Sequence, residues 1–258
     1  MSEYPNPNFS IDLSGQVALV TGTTSGLGRR FALVLARCGA RVVVTGRRTE
    51  RLEALAAEIR EAGGEALPLR VDMTDRASIR AMVDAAEAAY GTVDTLVNNA
   101  GIPDAQRAHK MSDDLVDAVF DTNLRGPWVL SCEIARRLIE AKQPGRMVNI
   151  ASIAAYSYGG NGAALYSVTK AAVVRMTEAL AVEWARHRIN VNGIAPGAFS
   201  SEMMDGMLER VGDISAHFPR KRVCDPALMD STLLYLVSPA SEAVTGTVIK
   251  IDDGQGAR

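Results

Sequence analysis

The sequence predicts an α/β fold: a single doubly wound domain with a mostly parallel, seven-stranded sheet and helices on both faces. Short β-branched runs alternate with longer amphipathic stretches along almost the whole chain, which is the pattern of parallel strands joined by right-handed helical crossovers. The strand runs are mostly continuous in apolar residues, as expected of strands that are covered on both faces. The predicted strands are Val17–Thr21, Arg41–Thr45, Ala66–Val71, Val93–Val97, Arg146–Ile150, Ile189–Ile194 and Thr247–Ile251.

Stretches with the hydrophobic periodicity of an α-helix separate these strands. The predicted helices are Gly26–Cys38, Thr49–Ala62, Asp75–Ala89, Ser112–Ala141, Ala163–Arg186 and Pro226–Val237. Gly39, the Gly63–Gly64 pair and Gly91 follow three of them and suit left-handed C-caps. No repeat, linker or shift in composition divides the chain, so we expect one domain over residues 13–258, preceded by a loose polar tail at residues 1–12.

Composition and charge narrow the class of protein. In a chain of 258 residues, 47% hydrophobic and 22% charged residues exclude disordered and low-complexity classes. A formal net charge of -2 argues against a nucleic-acid partner, which usually requires a strongly basic surface. The cysteines and histidines lack metal-ligand spacing, which indicates free thiols in a reducing compartment and no metal. We find no signal peptide and no apolar run near the ~18 residues of a membrane span, so we expect a soluble, cytoplasmic protein without a membrane partner.

A glycine-rich loop, Thr21–Gly28, follows the first strand and opens the first helix. Gly22 allows a tight turn, Gly26 lets backbone amides approach a pyrophosphate, and Gly28 lets the helix pack closely on the strand. The helix N-terminus adds the positive end of a dipole. The spacing is GxxxGxG, and a purely structural turn would give the same letters, but its position between a strand and a helix favours a dinucleotide site.

The end of the second strand is expected to select the cofactor. An acidic residue about 20 residues beyond the loop would bind the adenosine ribose of NAD(H), whereas an arginine would accommodate the 2′-phosphate of NADP(H). Gly46 stands in the place of the acid, and Arg47 and Arg48 follow it. Guanidinium groups suit phosphate, so the sequence favours NADP(H) and leaves NAD(H) open. The alternative is that both arginines form a solvated start to the next helix.

A tyrosine, a lysine and a serine form the candidate reacting group. Tyr166 and Lys170 lie four residues apart on a strongly helical stretch, so the phenol and the ammonium group share one face. A nearby ammonium should lower the tyrosine pKa from ~10, so that Tyr166 exchanges a proton with an alcohol or a carbonyl near neutral pH. Ser152 ends the fifth strand, where its hydroxyl would hold a carbonyl oxygen. The alternatives, for each feature taken alone, are that Tyr166 and Lys170 are a surface pair and that Ser152 is a capping or loop serine.

Six motifs, in order and in spacing, carry a resemblance to a known family. They are Thr21–Gly28, Asn98–Gly101, Asn123–Gly126, Ser152, Tyr166 with Lys170, and Pro196–Gly197. On these residues the chain resembles the short-chain dehydrogenase/reductases, in their short single-domain branch, from about Leu13 to about Gly254. The resemblance implies a Rossmann-type fold and hydride transfer between a nicotinamide cofactor and a carbonyl or secondary alcohol.

The resemblance also implies roles for individual residues. Tyr166 would be the general acid/base, and Lys170 would lower its pKa and bind the nicotinamide ribose. Ser152 would orient the substrate oxygen, and Asn123 would hold a water molecule that links Lys170 to solvent. The implied cofactor-binding residues are Gly22, Thr24, Ser25, Gly26, Leu27, Gly28, Arg47, Asp72, Met73, Asn99, Ala100, Gly101, Tyr166, Lys170, Pro196, Gly197 and Ser201.

The stretch at residues 198–220 departs from the strand–helix alternation and is predicted to be a substrate lid. Loops beyond the carboxyl ends of the strands form the ligand crevice in such folds. The alternative is a helical insertion that uses its methionines as core filler. Phe199, Phe218 and Met203 in this stretch, with Tyr156 and Tyr158 after the candidate serine, favour an apolar substrate. The resemblance leaves 3-oxoacyl thioesters, steroids, sugars and small ketones open.

Some residues depart from the pattern of the family. Asp252–Gly254 stands where one acid and two glycines are usual, and Ser201 replaces the usual threonine after the Pro-Gly pair but keeps its hydroxyl. Lys110, Arg125 and the run Arg220–Arg222 would suit an acidic or carrier-bound substrate, although charge runs are more often solvated faces.

The leading interpretation is an NADP(H)-dependent oxidoreductase. A non-catalytic dinucleotide-binding sensor or scaffold is the alternative, because a fold can persist without its chemistry, but the intact reacting residues argue against it. A sugar-nucleotide epimerase would need a further substrate-binding region beyond the last strand.

The long helices Ser112–Ala141 and Ala163–Arg186 would supply a dimer face, and the resemblance implies a homo-oligomer, a tetramer or a dimer.

Overall fold

The computed structural model describes residues 11–160 and 162–256, so residues 1–10 of the predicted loose tail lie outside the described range. The strands are β1 (Val17–Thr21), β2 (Arg41–Gly46), β3 (Glu65–Arg70), β4 (Thr95–Asn98), β5 (Gly145–Ile150), β6 (Ile189–Pro196) and β7 (Val248–Ile251). They form one seven-stranded sheet in the order β3-β2-β1-β4-β5-β6-β7. Every neighbouring pair is parallel, which confirms the predicted single-domain, doubly wound α/β class.

Helices cover both faces of the sheet. They are α1 (Gly26–Arg37), α2 (Thr49–Glu61), α3 (Arg76–Tyr90), α4 (Asp113–Phe120), α5 (Gly126–Ala141), α6 (Ala164–Trp184), α7 (Glu202–Val211) and α8 (Asp230–Val237). The buried side chains of α1, α2 and α8 pack in one apolar cluster, and those of α3, α5 and α6 pack in a second. The two clusters are the cores on either face.

The lack of polar alternation in the strands follows from this double covering. In β1, Val17 and Leu19 join the cluster of α3, α5 and α6, while Ala18 and Val20 join the cluster of α1, α2 and α8. All four are at most 2% exposed, so no face of the strand meets water. Burial on both sides therefore selects apolar residues at successive positions.

The predicted helix Ser112–Ala141 is wrong in one respect, because it is two helices. Helices α4 and α5 are separated by a wider π turn at Asp121–Arg125. Pro127 explains the interruption: it has no N–H for the carbonyl of Asn123, four residues earlier, and its ring would clash with that carbonyl in a regular helix. Gly126, at the junction, packs against the backbone of Met73, where a side chain would collide.

The segment at 198–220 contains α7 and a short 3₁₀ turn at Ser215–His217. Phe199, counted above among the apolar lid residues, is only 4% exposed and belongs to the core cluster of α1 and α8. It pairs with Cys224 in an isolated parallel bridge, so the two ends of the segment meet. Met203 on α7 is 37% exposed. The segment is therefore anchored at its base and carries its exposed apolar side chain on the helix.

The glycines predicted as left-handed C-caps after three helices take positive φ values, although Gly91, with a ψ of -168°, lies outside the left-handed helical region. Gly39, Gly63 and Gly91 have φ values of 94°, 86° and 82°. Of the helices within residues 11–160 and 162–256, none is long and apolar enough to span a bilayer. In the same ranges no group of three or more His, Cys, Asp or Glu side chains is arranged around a common metal position. The three cysteines are free thiols.

Candidate active site

The predicted reacting residues meet at the carboxyl edge of the sheet. Tyr166 lies in the first turn of α6 and is half-buried. Ser152 follows β5 by two residues, and hydrogen bonding from its hydroxyl lowers the pKa of the Tyr166 phenol. Lys170, one turn further along α6, is 4% exposed, and its Nζ donates to the carbonyl of Ile150 at 2.7 Å. The end of β5 thus joins all three functional groups.

Burial sets the charge state of this group. It raises the pKa of Tyr166 above the ordinary value, the Ser152 hydrogen bond lowers it, and the negative charge of Asp104 raises it further. Burial also lowers the pKa of Lys170 to about 8. The net shift of the Tyr166 pKa is therefore upward, whereas a lowering beside Lys170 was expected; the Lys170 Nζ lies 5.5 Å from the centre of the phenol ring. Desolvation disfavours both charged forms.

Asn123 holds the loop that faces the lysine. Its side chain, in a residue 1% exposed, binds both backbone groups of Ile102: Oδ1 accepts from the N–H at 2.8 Å and Nδ2 donates to the carbonyl at 2.9 Å. A side chain on Gly101 would come within 3.4 Å of Asn123 Oδ1 and 3.6 Å of Lys170 Nζ. These residues therefore surround one small space. Pro127 cannot donate to the Asn123 carbonyl, which suits the predicted role of Asn123 in holding water.

Sequence reasoning missed Asp104. Its carboxylate is 2% exposed and accepts from the backbone N–H groups of Leu165 and Tyr166, at 2.8 and 3.0 Å. Helix α6 begins after Ala163, whose side chain cannot cap it, and this was the one signal that a cap must come from elsewhere. The spacing along the chain could not identify the residue that supplies that cap, which lies about sixty residues upstream.

The glycine-rich loop closes tightly between β1 and α1. Gly22 has a φ of +71°, and a side chain there would come within 2.9 Å of Ala100 Cα. A side chain on Gly28 would collide with the Gly22 carbonyl and with the amide of Asn99. Ser25 is the N-cap of α1 but makes no side-chain capping bond, so the first turn of α1 presents its backbone N–H groups at the loop. This is the arrangement that binds phosphate.

The segment after β4 is fastened to this loop. The amide Nδ2 of Asn99 donates to the carbonyls of Thr21 and Gly22, at 2.9 and 3.1 Å. In return, Thr21 Oγ1 accepts from the backbone N–H groups of Asn99 and Ala100, at 3.0 Å each. The predicted cofactor residues Asn99, Ala100 and Gly101 therefore lie between the loop and the reacting group.

The end of β2 carries the arginines beside the loop. A side chain on Gly46 would come within 2.9 Å of Thr24 Cγ2, so an acid in this place would displace Thr24. The guanidinium of Arg48 donates to Thr24 Oγ1 at 3.0 and 2.6 Å. Arg47 is exposed, and its positive charge is one cause that lowers the pKa of Asp72, after the hydrogen bond from the Thr74 backbone.

The other residues predicted to contact the cofactor, Asp72, Met73 and Leu27, differ in where their side chains lie. One carboxylate oxygen of Asp72 accepts from the Thr74 N–H at 3.0 Å and from its hydroxyl at 2.8 Å. The side chain of Met73 is 6% exposed and lies in the core cluster of α3 and α5. Leu27 packs against the opposite core cluster. The side chains of Met73 and Leu27 therefore pack on the two cores, whereas one carboxylate oxygen of Asp72 is bound by Thr74.

The stretch after β6 closes the site from the other side. Pro196 ends β6, and a side chain on Gly197 would come within 2.6 Å of Gln255 Oε1. Ser201 is the N-cap of α7, where its Oγ accepts from the Met204 N–H at 3.2 Å. A side chain on Gly26 would come within 3.0 Å of Ser201 Cβ, so the start of α7 touches the glycine-rich loop.

An ionic contact joins α7 to the arginines at the end of β2. Glu202, the first residue of α7, pairs with Arg48 at 3.0 Å and also with Arg51. Hydrogen bonds from Arg51, Ser25 and Arg48 lower the pKa of the Glu202 carboxyl to about 2. This carboxylate therefore stays ionised at every ordinary pH.

The arginines among the predicted basic residues, Arg125, Arg220 and Arg222, form ion pairs within the chain. Arg220 and Arg222 bind the carboxylate of Asp253 at 3.1 and 2.8 Å. Asp253 takes a left-handed φ of 53°, a conformation that favours glycine, at one of the positions that depart from the family pattern. Arg125 pairs with Asp121 one turn away. These arginines have partners within the chain, in keeping with a structural role.

Comparison with known proteins agrees with this arrangement. The family model described as short chain dehydrogenase matches residues 16–211. The chain is 34% identical to the 2-dehydro-3-deoxy-D-gluconate 5-dehydrogenase of Dickeya dadantii, over 96% of this chain and 98% of that protein. It is also 34% identical to the 3-oxoacyl-(acyl-carrier-protein) reductase FabG of Thermotoga maritima, over 94% and 98%.

A solved structure shares the fold closely. A single-substitution variant of actinorhodin polyketide ketoreductase, crystallised with NADPH, superimposes with a TM-score of 0.90 at 36% identity, over 96% of this chain and 99% of that chain. The family match covers most of the chain, and the relatives named are dehydrogenases and reductases. The protein therefore belongs to the short-chain dehydrogenase/reductase family.

Proposed function

We propose that the protein is an NADP(H)-dependent oxidoreductase that interconverts a carbonyl and a secondary alcohol, with Tyr166 as the general acid/base. One observation carries the proposal: the Tyr166 phenol, the Ser152 hydroxyl and the Lys170 amine meet at the end of β5. The segment Asn99–Gly101 lies between this group and the glycine-rich loop. The dehydrogenase and reductase relatives support the same reaction class.

Tyr166 and Ser152 act on the substrate oxygen. In the reductive direction, carbon takes a hydride, the carbonyl π electrons move to oxygen, and the Tyr166 O–H gives its proton to that oxygen. The Ser152 hydroxyl donates a hydrogen bond that stabilises the developing negative charge. In the oxidative direction the Tyr166 phenolate takes the proton of the alcohol. After reduction, Lys170, whose pKa is about 8, and a water held by Asn123 pass a proton from solvent to the Tyr166 phenolate, and after oxidation the same groups carry the proton away.

The chain fits a nicotinamide dinucleotide, whose chemical contribution is the hydride. Gly22, Thr24, Ser25, Gly26, Leu27 and Gly28 would hold the pyrophosphate on the N-terminus of α1, where the close approach at Gly22 leaves no room for a side chain. Asp72 and the backbone at Met73 would face the adenine. Lys170 would bind the nicotinamide ribose, and Pro196, Gly197 and Ser201 would close over the nicotinamide.

We assign the preference for NADP(H) to the end of β2. Arg47 and Arg48 supply two guanidinium groups, and Arg48 is held in place by Thr24. Because Thr24 stands where a side chain on Gly46 would lie, an acid that binds the ribose hydroxyls of NAD(H) does not fit without a shift. The ketoreductase structure with NADPH supports this preference.

The proposed substrate is an apolar small molecule, and residues 198–220 are its lid. Met203 on α7 is 37% exposed, and Tyr156 and Tyr158 after β5 are 43% and 47% exposed. In this proposal, these side chains would contact the substrate. Lys250 lies 4.1 Å from the centre of the Tyr156 ring and holds it by a cation–π contact.

We also propose a homo-oligomer in the cytoplasm. Trp128 on α5 and Val168 and Val182 on α6 are 46%, 56% and 81% exposed, and large apolar side chains of this kind mark protein–protein contacts when they cluster. The free thiols suit a reducing compartment. Sedimentation equilibrium on the whole chain measures the oligomeric state directly, and a monomer at micromolar concentration would contradict it.

The decisive experiment follows the absorbance of reduced nicotinamide with NADPH and NADH in parallel, across ketones, 3-oxoacyl thioesters, steroids and sugars. We expect turnover on one class, faster with NADPH, and loss of that turnover in Tyr166→Phe. Binding of both cofactors without turnover on any class would favour a dinucleotide-binding sensor over the enzyme. Failure to bind either cofactor would overturn the assignment of the glycine-rich loop.

A further inference from the structure

Asp104 is a buried carboxylate that the proposed reaction does not use. It lies in the loop after β4, is 2% exposed, and belongs to none of the motifs of the reacting group. A buried carboxylate is unfavourable unless hydrogen bonds and nearby positive charge compensate it. Three backbone N–H groups do so here, those of Ala105 at 2.8 Å, Leu165 at 2.8 Å and Tyr166 at 3.0 Å.

We propose that Asp104 is the positioning residue for Tyr166: its carboxylate holds the first turn of α6 and so determines where the phenol stands relative to the cofactor loop. This inference rests on the proposed function, because it concerns the residue that would transfer the proton. Three features support it, namely the capping of α6, the connections of the loop, and the charge beside the phenol.

Helix α6 depends on Asp104 for its cap. The first N–H groups of a helix have no partner within it, and a Ser, Thr, Asp or Asn at the N-cap usually binds them. Asp75 caps α3 and Ser201 caps α7 in this local way. The N-cap of α6 is Ala163, which makes no capping bond, and Oδ2 of Asp104 binds the N–H groups instead. The positive end of the helix dipole favours its negative charge.

The loop that carries Asp104 is connected to the cofactor side of the site. Asn99, at the start of this loop, binds the carbonyls of the glycine-rich loop, and Ile102 is held on both backbone groups by Asn123. Ala105, directly after Asp104, takes a left-handed φ of 46°, which is strained for alanine. Asp104 thus attaches to the helix of Tyr166 a short loop whose other end is bound to the proposed cofactor site.

The charge of Asp104 also acts on the phenol. The groups that the structure places against the phenol are the Ser152 hydroxyl after β5, Lys170 on α6 itself, and Asp104 from the loop. The carboxylate raises the pKa of Tyr166, whereas the serine hydrogen bond lowers it. Asp104 therefore tends to keep Tyr166 protonated, as a proton donor must be.

The test compares Asp104→Asn and Asp104→Ala with a matched control, Asp94→Asn. Asp94 is also a desolvated carboxylate that accepts from a backbone N–H, that of Val17 at 3.0 Å, but it lies at the amino edge of the sheet. Its substitution reports the loss of stability without a change near α6. If Asp104→Ala does not fold, Asp104→Asn, which keeps one acceptor oxygen, carries the test alone.

Two readouts need no substrate. Amide hydrogen exchange at Leu165 and Tyr166 should be faster in both Asp104 variants and unchanged in Asp94→Asn. The ultraviolet absorbance of tyrosinate, each variant minus its Tyr166→Phe counterpart, should show that Tyr166 ionises at lower pH in Asp104→Asn. Unchanged exchange together with an unchanged titration would overturn the proposal. Both readouts remain valid if the wild-type protein turns over none of the candidate substrates, so this failure is distinct from failure of the proposed function.

The third readout is kinetic, on whichever substrate the wild-type protein uses. We expect kcat to fall by ~10- to ~10²-fold in Asp104→Asn, as small misplacements of a reacting group do, while the KM for NADPH changes by less than about 2-fold. Asp104→Ala should lose more. Equal losses of kcat in Asp104→Asn and Asp94→Asn at equal loss of thermal stability would reduce Asp104 to a structural residue and overturn the proposal.

Discussion

The carboxylate of Glu202 lies 3.0 Å from the guanidinium of Arg48 and joins the first turn of α7 to the end of β2. Arg48 is the same side chain that is held by Thr24 beside the proposed 2′-phosphate site. A dianionic phosphate there would compete with Glu202 for the guanidinium. If NADP(H) binds there, its binding and the attachment of the proposed lid would therefore be coupled through one arginine.

Replacing Glu202 by glutamine should strengthen NADPH binding. The ion pair is exposed, and pairs of this kind contribute about 0.2–1 kcal/mol, so we expect the Kd for NADPH to fall by no more than about 5-fold. The Kd for NADH should not change, because NADH has no 2′-phosphate. Fluorescence titration of both cofactors measures the effect, and Glu209→Gln, on the same helix, is the control. Equal tightening of both cofactors would contradict the competition.

Replacing Arg47 by alanine should weaken NADPH selectively. A charge-assisted hydrogen bond to phosphate is worth about 1.5–3 kcal/mol, which corresponds to a roughly 10- to 100-fold increase in Kd. The Kd for NADH should rise by less than about 2-fold. Arg37→Ala, at the far end of α1, controls for the loss of one positive charge. If NADPH and NADH weaken equally, Arg47 is a surface residue between β2 and α2, and the preference for NADP(H) loses its main support.

The order of the fold could be predicted because each strand and helix is a local pattern. The places of the glycine-rich loop and Ser152 after strands, and of Tyr166 and Lys170 on one helix, were likewise predictable, since they follow from local patterns along the chain. The interruption of the helix at Asp121–Arg125 could have been predicted from Pro127, because a proline within a helical pattern removes one hydrogen bond. The apolar periodicity of the flanking residues concealed it.

Two properties of the site could not be predicted from spacing. Asp104 caps a helix about sixty residues away, and only the packing of the loop after β4 against α6 brings them together. The pKa of Tyr166 was expected to fall beside Lys170, but desolvation acts on both groups and Lys170 is bonded to Ile150. Burial is a property of the folded chain. The direction of the pKa shift of Tyr166 or of Lys170 therefore could not be predicted from their spacing of four residues.

Tyr166→Phe and Ser152→Ala should separate proton transfer from orientation. Removing the phenol O–H should lower kcat by at least ~10²-fold with little change in the Kd for NADPH, because a positioned acid/base contributes this much. Ser152→Ala should also lower kcat, and it should raise the pH at which Tyr166 ionises, because its hydrogen bond lowers that pKa. Steady-state kinetics and a tyrosinate titration measure the two effects. Full activity of Tyr166→Phe would remove Tyr166 from the mechanism.

The pKa of Lys170 predicts how stability depends on pH. Burial lowers it to about 8, against 10.5 in the unfolded chain. Between these values the unfolded chain holds the lysine proton and the folded chain does not, so the free energy of unfolding gains a contribution that rises with pH. The lysine burial penalty is fully present well below pH 8 and is relieved as pH rises toward 10.5. From about pH 7.5 to about pH 9.5 we expect a gain of about 2 kcal/mol from this residue.

Lys170→Met should abolish this rise. Urea unfolding of the wild-type protein and the variant at about pH 7.5, 8.5 and 9.5 gives the free energy of unfolding at each pH. The difference between the two slopes against pH isolates Lys170 from the other groups that titrate in this window. The exposed Lys110→Met is the control and should leave the slope unchanged. A wild-type slope that matches that of Lys170→Met would mean that Lys170 stays charged when the chain folds. In that case the ammonium would be available throughout the neutral range, and the proton relay would not pass through neutral Lys170.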